Sequence, residues 1–292
     1  MRHQQSLGSR IFDTANIIFL SLVSLATILP FIYVLAVSFA SPGQVQQGGL
    51  ILFPKEWSLS AYRYIFSTNT LTHSMVISVY ITVVGTIINL IFTSMMAFPL
   101  SRKTLVGRNP LLLMVLFTML FSGGMIPTFF VVKSLGMLNT LWSLMIPGAI
   151  SAFNLIVMKN FFQQLPEELI DSATVDGYND MQILLRVIIP LSLPAMATFT
   201  LFYAVGHWNQ FFNAIIYIND SDKWPIQVLL RSIVILSVDA AGGGNTHTDV
   251  VEYAPLTIQM AVIVFATVPI LLVYPFLQKH FTKGAFLGSV KG

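Results

Sequence analysis

Six long uncharged runs constrain the fold of this sequence more than any other feature. None of the 15 Lys or Arg residues and none of the 12 Asp or Glu residues lies in any of them. The runs cover residues 14–39, 75–100, 111–132, 141–157, 187–212 and 256–277. A charge at mid-bilayer costs about 2.5–3.5 kcal/mol on insertion scales, and about 20 apolar residues cross the hydrocarbon layer as a helix. The runs therefore predict six membrane spans.

The composition leads to the same class of protein. Hydrophobic residues make up 55% of the 292 residues and charged residues only 9%, whereas ordinary soluble domains contain roughly 25% charged residues. A single compact core cannot hide this much apolar surface from water. The runs also lack the alternating pattern of membrane β-strands. We predict an all-α, polytopic membrane protein with six transmembrane helices, in which residues 1–292 form a single transmembrane domain.

The distribution of Lys and Arg predicts the orientation in the membrane. With both termini and the even-numbered loops in the cytoplasm, ten of these residues lie inside and five outside. This excess follows the positive-inside rule, so both termini are predicted to be cytoplasmic. The first run is longer than the apolar region of a usual signal peptide, and Ser38-Phe39-Ala40 is a poor cleavage site, so we expect the first span to be retained.

Several kinds of chemistry find no support in the sequence. The chain has no cysteine, which excludes disulfides, thiol nucleophiles and thiolate metal sites. His207 has no second His or carboxylate at ligand spacing, so no metal site is predicted. No basic patch with interleaved aromatic residues points to nucleic acid. The phosphate-binding pattern Gly-x4-Gly-Lys-Ser/Thr is also absent, so we expect the chain to bind no ATP itself.

Residues 165–194, between the fourth and fifth runs, are patterned unlike a simple connector. Pro166 suits the first turn of a helix, and the acidic residues Glu167, Glu168 and Asp171 favour its positive N-terminal end. Asp176-Gly177 predicts the end of that helix, because Gly accepts positive φ at little cost. Asp180 is predicted to cap a second helix that continues into the fifth span. The result is a rigid bent lever facing the cytosol.

The spacing in this segment carries a family resemblance. Asp171-Ser172-Ala173 is followed by three residues, then Gly177, then nine residues, then Val-Ile-Ile-Pro at 187–190. This resembles the EAA loop of ABC-importer permeases, Glu-Ala-Ala, three residues, Gly, nine residues, Ile-x-Leu-Pro, with Asp in place of Glu and Ser in place of Ala. The resemblance implies that residues 165–190 insert a coupling helix into a groove of a cytosolic ATPase subunit. The implied coupling residues are Glu168, Asp171, Ser172, Ala173, Asp176, Gly177 and Pro190.

The resemblance extends over almost the whole chain. The strings FSGGMIP at 121–127, GHWN at 206–209, WPIQ at 224–227, YPFLQK at 274–279 and GSVKG at 288–292 are similar to the second permease of carbohydrate importers, in the oligosaccharide branch related to the maltose-type transporters. This implies a type I ABC-importer permease fold in the bacterial cytoplasmic membrane. The implied partners are a second homologous permease, two ATPase subunits that bind ATP and Mg, an extracellular solute-binding protein, membrane lipid and a saccharide. No cofactor is expected on this chain.

Polar residues within the runs are candidates for the substrate path. Sugars need amide and hydroxyl partners together with an aromatic face, so Asn154, Trp208 and Asn209 are predicted to line a translocation path. Asn89, His207 and Gln259 are also polar residues within runs. For any of these residues, a hydrogen bond between helices is the alternative role.

Three functions compete on the sequence alone. The first is the permease subunit of an ATP-driven importer of oligosaccharides, working by alternating access. The second is an ion-coupled secondary carrier or channel, which commonly needs acids or bases inside the membrane, and none of the 27 Lys, Arg, Asp and Glu residues lies in the six runs. The third is an intramembrane enzyme, which requires a catalytic pair that the runs do not supply. We therefore predict a transport subunit that is not an enzyme and has no catalytic residues.

Overall fold

The computed structural model describes residues 7–241 and 256–289. Most of these residues are helical, and the β-pairing among them is one isolated antiparallel bridge between Ala40 and Trp57. Contacts between Cα atoms divide the chain into two compact units. The first contains residues 1–69 and 230–267, and the second contains residues 70–229 and 268–292.

The helices follow one another with short connections. In the first half of the chain they are α1 (Leu7–Ser38), α2 (Pro42–Gln46), α3 (Ser60–Ser67), α4 (Asn69–Ser101), α5 (Arg108–Leu120), α6 (Met125–Ser134) and α7 (Trp142–Met145). They continue with α8 (Ala152–Gln163), α9 (Glu167–Val175), α10 (Asp180–Ile183), a π-helical turn (Leu184–Ile188), α11 (Ile189–Leu191), α12 (Leu193–Trp208), α13 (Phe212–Tyr217), a 3₁₀ turn (Ser221–Lys223), α14 (Ile226–Ala241) and α15 (Leu256–Ser289).

The helices support membrane insertion but do not confirm the number six. Within the described residues, α1, α4 and α15 are long and apolar enough to cross a membrane, which confirms helices in the first, second and sixth runs. Two further candidates are broken. The chain bends by 116° between α5 and α6, and by 88° between residues 180–191 and α12. The fourth run is helical only in α7 and α8, because Pro147 and Gly148 interrupt it. By length and composition, the described part holds three to five spans.

In the first unit, α1 is an apolar helix whose C-terminal end is anchored by the segment that follows it. No residue in its most apolar 18-residue stretch is buried, as expected for a helix covered by lipid or by other subunits. At its end, Ala36 and Val37 form a small core with Ile51. The hydroxyl of Ser38 lies 2.9 Å from that of Tyr62. The segment that follows α1, at residues 40–68, is therefore fastened to the end of this helix through Ile51 and Tyr62.

The second unit has two hydrophobic cores. The first core joins the C-terminal half of α4 to α5, α8, α9, α12 and residues 183–188, and its buried members are Ala97, Phe98, Leu100, Val115, Leu155, Met158, Phe162, Ile170, Ala173, Ile183, Leu184, Ile188, Ala195, Phe199 and Tyr203. The second core packs the N-terminal half of α4 against α6, α7, α13 and α14. Because α9 contributes Ile170 and Ala173, the patterned loop is packed into the first core.

Candidate functional site: the corner at Gly177 and a polar cleft

Helix α9 has one buried face and one acidic exposed face. Ile170 and Ala173 are only 5% and 6% exposed, and both belong to the first core. Burying a side chain such as Ile170 out of water contributes about 1.5–3 kcal/mol, which holds α9 against the rest of the unit. Glu168, Asp171 and Ser172 are exposed. The helix therefore presents carboxylates outward while its aliphatic side chains fix its position.

A glycine-dependent turn ends α9 at the predicted position. Gly177 has φ of 84°, in the left-handed region, and its N–H donates to Thr174 O at 3.0 Å. The N–H of Tyr178 donates to Ala173 O at 3.0 Å. These two bonds make a Schellman motif, which satisfies carbonyl groups at the helix end. Open space surrounds the position of an added Cβ, so the backbone conformation alone requires glycine. The prediction that Gly177 ends this helix is confirmed.

The next helix begins one residue earlier than predicted. The prediction that Asp180 caps it is wrong, because the cap is Asn179, whose extended backbone places its side chain over the first turn. Asn179 Oδ1 accepts from Gln182 N at 2.9 Å, and Gln182 Oε1 accepts from Asn179 N at 3.0 Å. This reciprocal capping box satisfies donors at the helix start. Together with the Schellman motif, it fixes both sides of the corner.

The second helix continues into the fifth run, as predicted, but it is not straight. It passes through the π-helical turn and α11 and then bends by 88° at Ser192 into α12. Pro190 and Pro194 each lack a backbone N–H, and this interrupts the hydrogen-bond ladder on both sides of the bend. Pro190 is exposed. The lever therefore has two bends, one at Gly177 and one at Ser192.

A polar cleft lies elsewhere in the second unit, where α4 and α12 meet the break between α7 and α8. It encloses about 370 Å³. Among the described residues, no Lys, Arg, Asp or Glu side chain lines it. Its polar lining residues are Asn89, Ser143, Ser151, Asn154, Tyr203, His207, Gln210 and Asn213. Phe202 also lines the cleft and is 45% exposed. A lining of amides, hydroxyls and one open aromatic ring suits a ligand that forms uncharged hydrogen bonds.

Asn89 holds one wall of the cleft together. Its Nδ2 donates to Gly148 O at 2.7 Å and to Ala149 O at 3.1 Å. Because both amide hydrogens are used, its Oδ1 is an acceptor, and His207 Nε2 donates to it at 2.6 Å. A Cβ at Gly85 would lie 2.5 Å from His207 Nε2, so α4 needs glycine where the ring packs. Asn89 therefore joins α4, the break and α12.

Two other amides in the cleft have unused hydrogen-bonding capacity. The side chain of Asn154 is buried and makes no hydrogen bond within the described chain. Gln210 Oε1 is buried and makes no hydrogen bond of good geometry among the described residues, although the Gln210 side chain also interacts with the His207 ring. By contrast, the Tyr203 hydroxyl pairs with Thr93 Oγ1 at 2.7 Å. The cleft thus contains both polar groups that the fold satisfies and polar groups that it leaves open.

The structure brings only one of the three predicted path residues into this cleft. Asn154 lines it. Trp208 is buried and lines a separate apolar cavity with Val83 and Leu201. Asn209 is exposed, and its Nδ2 donates to Val205 O at 2.9 Å on its own helix. The substrate roles of Trp208 and Asn209 stay predictions.

The coupling residues separate into exposed and buried positions. Glu168, Asp171, Ser172, Asp176, Gly177 and Pro190 are exposed, whereas Ala173 is buried.

Sequence reasoning missed Tyr203 and Gln210 as cleft residues. Tyr203 lies four residues before His207 on α12, so a shared helix face was a signal available in the sequence, whereas Gln210 follows the end of that helix at Trp208.

Comparisons with known proteins give consistent matches along the chain. Residues 2–286 match the model of the family described as "binding-protein-dependent transport system inner membrane component". Protein LplC of Bacillus subtilis (strain 168) is 56% identical over 290 residues, which is 99% of this chain and 98% of that protein. The polygalacturonan/rhamnogalacturonan transport system permease protein YtcP of the same organism is 55% identical over 286 residues, 98% of this chain and 100% of that protein.

A solved structure matches the fold as well. It is one chain of the crystal structure of a bacterial ABC transporter involved in the import of the acidic polysaccharide alginate. The TM-score is 0.87 at 34% sequence identity, and the match covers 95% of this chain and 99% of that chain. Similarity at this level covers the corner and the cleft together.

Proposed function

This chain belongs to the family of binding-protein-dependent transport system inner membrane components, and from that premise we propose that it imports saccharides as one permease subunit of an ATP-driven ABC transporter. Family membership makes it an inner-membrane transport subunit and not an enzyme with its own ATPase site. The substrate, the energy coupling and the assembly belong to the proposal.

The proposed substrate is an oligosaccharide that contains uronic acid residues. The similar permease YtcP carries polygalacturonan and rhamnogalacturonan in its name, and the similar solved transporter takes part in alginate import. All three polysaccharides contain uronic acids. An uncharged cleft lined by amides and hydroxyls is compatible with the hydroxyl groups of such a substrate.

The observation that carries the proposal is the exposed acidic face of α9 on a corner fastened at both sides. Asp171 is exposed next to the Schellman motif at Gly177 and the capping box at Asn179. A rigid corner transmits a displacement because its hydrogen bonds keep the two helices at a fixed angle. ATP hydrolysis moves the permease only if the ATPase conformations contact this face with different free energies.

The proposed assembly supplies what this chain lacks. Two ATPase subunits bind ATP and Mg, a second homologous permease completes the path, and an extracellular solute-binding protein delivers the saccharide. This chain itself holds no cofactor. Both termini and the corner lie in the cytoplasm, in accord with the excess of Lys and Arg in the loops assigned to that side.

An ion-coupled carrier or channel is the alternative. Such proteins commonly place ionisable groups in the membrane to sense protons or electric fields. No Lys, Arg, Asp or Glu residue lies in the six uncharged runs, and none lines the polar cleft. These two observations favour the ATP-driven importer.

Uptake by the purified complete importer in proteoliposomes tests the proposal. Oligosaccharides from digested polygalacturonan serve as substrate, with ATP and Mg on the ATPase side. We expect uphill uptake that stops when the ATPase subunits are omitted and persists when ionophores collapse ion gradients. Uptake that needs an ion gradient and no ATPase subunit would establish the carrier instead.

The variant Asp171→Lys tests the coupling face in the same assay. Asp171 is exposed, so reversing its charge should change the free energy of unfolding by no more than about 0.5 kcal/mol. Uptake should nevertheless fall at least about tenfold, because a like-charge contact with the ATPase groove costs more than a kcal/mol. Asp171→Glu is the matched control and should retain uptake. Equal uptake by the Lys variant removes this face from the mechanism.

A further inference from the structure

We propose that the polar cleft is a saccharide-contacting site of this subunit, in which the side-chain amides of Asn154 and Gln210 bind hydroxyl groups of the passing sugar. The inference rests on the proposed function and adds the residues and the chemistry of recognition. It also assigns substrate contact to this permease, in addition to any contact that its partner makes.

The dimensions and lining of the cleft fit such a ligand. Its volume of about 370 Å³ lies within the roughly 300–1,000 Å³ of small-molecule sites. Amide and hydroxyl groups form its polar lining, and the half-exposed ring of Phe202 offers an apolar face. A pyranose ring presents hydroxyl groups at its edge and C–H groups on its face, which match these two kinds of surface.

The strongest indication is that the fold satisfies the hydrogen-bonding groups of the Asn89 amide but not all of those of Asn154 and Gln210. The fold uses both hydrogens and the oxygen of Asn89. It gives the side chain of Asn154 no hydrogen bond, and it leaves Gln210 Oε1 buried beside His207 without a hydrogen bond of good geometry in the described chain. Buried polar groups are nearly always paired, and unpaired ones are costly at membrane depth. A ligand with hydroxyl groups, each both donor and acceptor, satisfies these two amides.

The satisfied residues act as the framework of the site. Asn89 and His207 tie the broken segment to α4 and α12, while Tyr203 is paired with Thr93 on α4. These contacts fix the backbone that carries Asn154 on one side and Gln210 on the other. Asn89, His207 and Tyr203 are therefore positioning residues, and Asn154 and Gln210 are the binding residues.

The absence of charge defines what this site recognises. No Lys or Arg among the described residues lines the cleft, so it offers a sugar carboxylate no ion pair with either of these side chains. The cleft binds the hydroxyl groups of the sugar. A uronate binds there through the hydroxyl groups that it shares with neutral sugars. Recognition of the substrate's charge then belongs to other parts of the importer.

Shape-preserving variants separate binding from folding. Asn154→Leu and Gln210→Met remove the open amides while filling similar space. We expect each to raise the KM for uptake about three- to tenfold, because each loses a neutral hydrogen bond to the ligand. The thermal midpoint of the purified chain should stay equal or rise for Asn154→Leu, because that change removes an amide that makes no hydrogen bond within the described chain. A residue with a purely structural role would lower it.

The assay uses the complete importer in proteoliposomes with oligosaccharides from digested polygalacturonan and alginate as probes. Asn160→Ala is the matched control, since Asn160 lies on α8 like Asn154 but is exposed outside the cleft. The control should keep the wild-type KM, and the ATPase activity stimulated by the binding protein should persist in all variants. Wild-type KM in the double variant Asn154→Leu/Gln210→Met overturns the inference alone. No uptake of any probe by the wild-type importer overturns the proposed function as well.

Discussion

The corner at Gly177 and the polar cleft around Asn89 are built from hydrogen bonds of very different range. In the corner, Gly177 N bonds to Thr174 O, and Asn179 and Gln182 bond to each other, so every bond joins residues at most five positions apart. In the cleft, Asn89 reaches Gly148, which is 59 positions away, and His207, which is 118 positions away.

Because their hydrogen bonds differ in range, the two regions respond differently when helices move. The corner keeps its geometry wherever the rest of the chain goes, because its bonds are local. The cleft changes shape whenever α4, the break between α7 and α8, or α12 shifts. The proposed alternating access combines a rigid lever with a region that changes shape. The predictions below test this contrast.

The largest effect is expected where the corner depends on one backbone conformation. Gly177→Val places a β-branched residue at φ of 84°, which costs about 1–2 kcal/mol of strain. The strain shifts the angle of the lever, so ATP-driven uptake should fall at least about tenfold. Uptake and ATP hydrolysis by the reconstituted importer measure this effect.

The matched control for that variant is Gly177→Asn, because Asn visits the left-handed region more readily than other non-glycine residues. It should keep most of the uptake. Both variants leave the same open space around the new side chain, so a clash does not account for a difference between them. Equal loss in both would mean that the position needs the absence of a side chain and not a particular φ.

A smaller effect on uptake is expected from a change in the cleft, where the stability of the chain is the quantity measured. Asn89→Ala leaves Gly148 O, Ala149 O and His207 without this partner, and a buried unsatisfied group costs about 1–3 kcal/mol. The thermal midpoint of the purified chain should fall, whereas that of Asn160→Ala should not. An unchanged midpoint for Asn89→Ala would show that the long-range bonds do not hold the broken segment.

The smallest effect concerns a short-range contact at the surface. Lys223 lies 3.1 Å from Asp220, and its side-chain bond holds the pKa of Asp220 below the ordinary value of 3.8. A lowered carboxyl pKa stabilises the folded state above pH 3.8, and this contribution disappears as the pH falls through the lowered pKa. The difference in thermal midpoint between wild type and Asp220→Asn should therefore narrow below pH 3.8. If the difference in thermal midpoint stays constant below pH 3.8, the lowered pKa of Asp220 does not account for it.

The range of the contacts also explains what the sequence predicts. The corner follows from Pro166, Asp171 and Gly177 because its signals are local, and the error at Asp180 is a shift of one residue. The pairing of Asn89 with His207 could not be predicted, because the sequence does not show which polar residues on different helices contact each other. Pro190 and Pro194 mark a helix break where the fifth run begins, and the structure places the bend between them, at Ser192.

The central claim is that α9 faces the cytosol and transmits work from a separate ATPase, and cysteine cross-linking tests it most directly. The chain has no native cysteine, and Val175 at the end of α9 is 88% exposed. In membrane vesicles holding the complete importer, Val175→Cys should cross-link to the ATPase subunit with a yield that changes with ATP. Leu50→Cys, which is 71% exposed in the outer segment, should react only with an impermeant reagent added outside. Labelling of Val175→Cys from the outside, with no cross-link to the ATPase, would contradict the account.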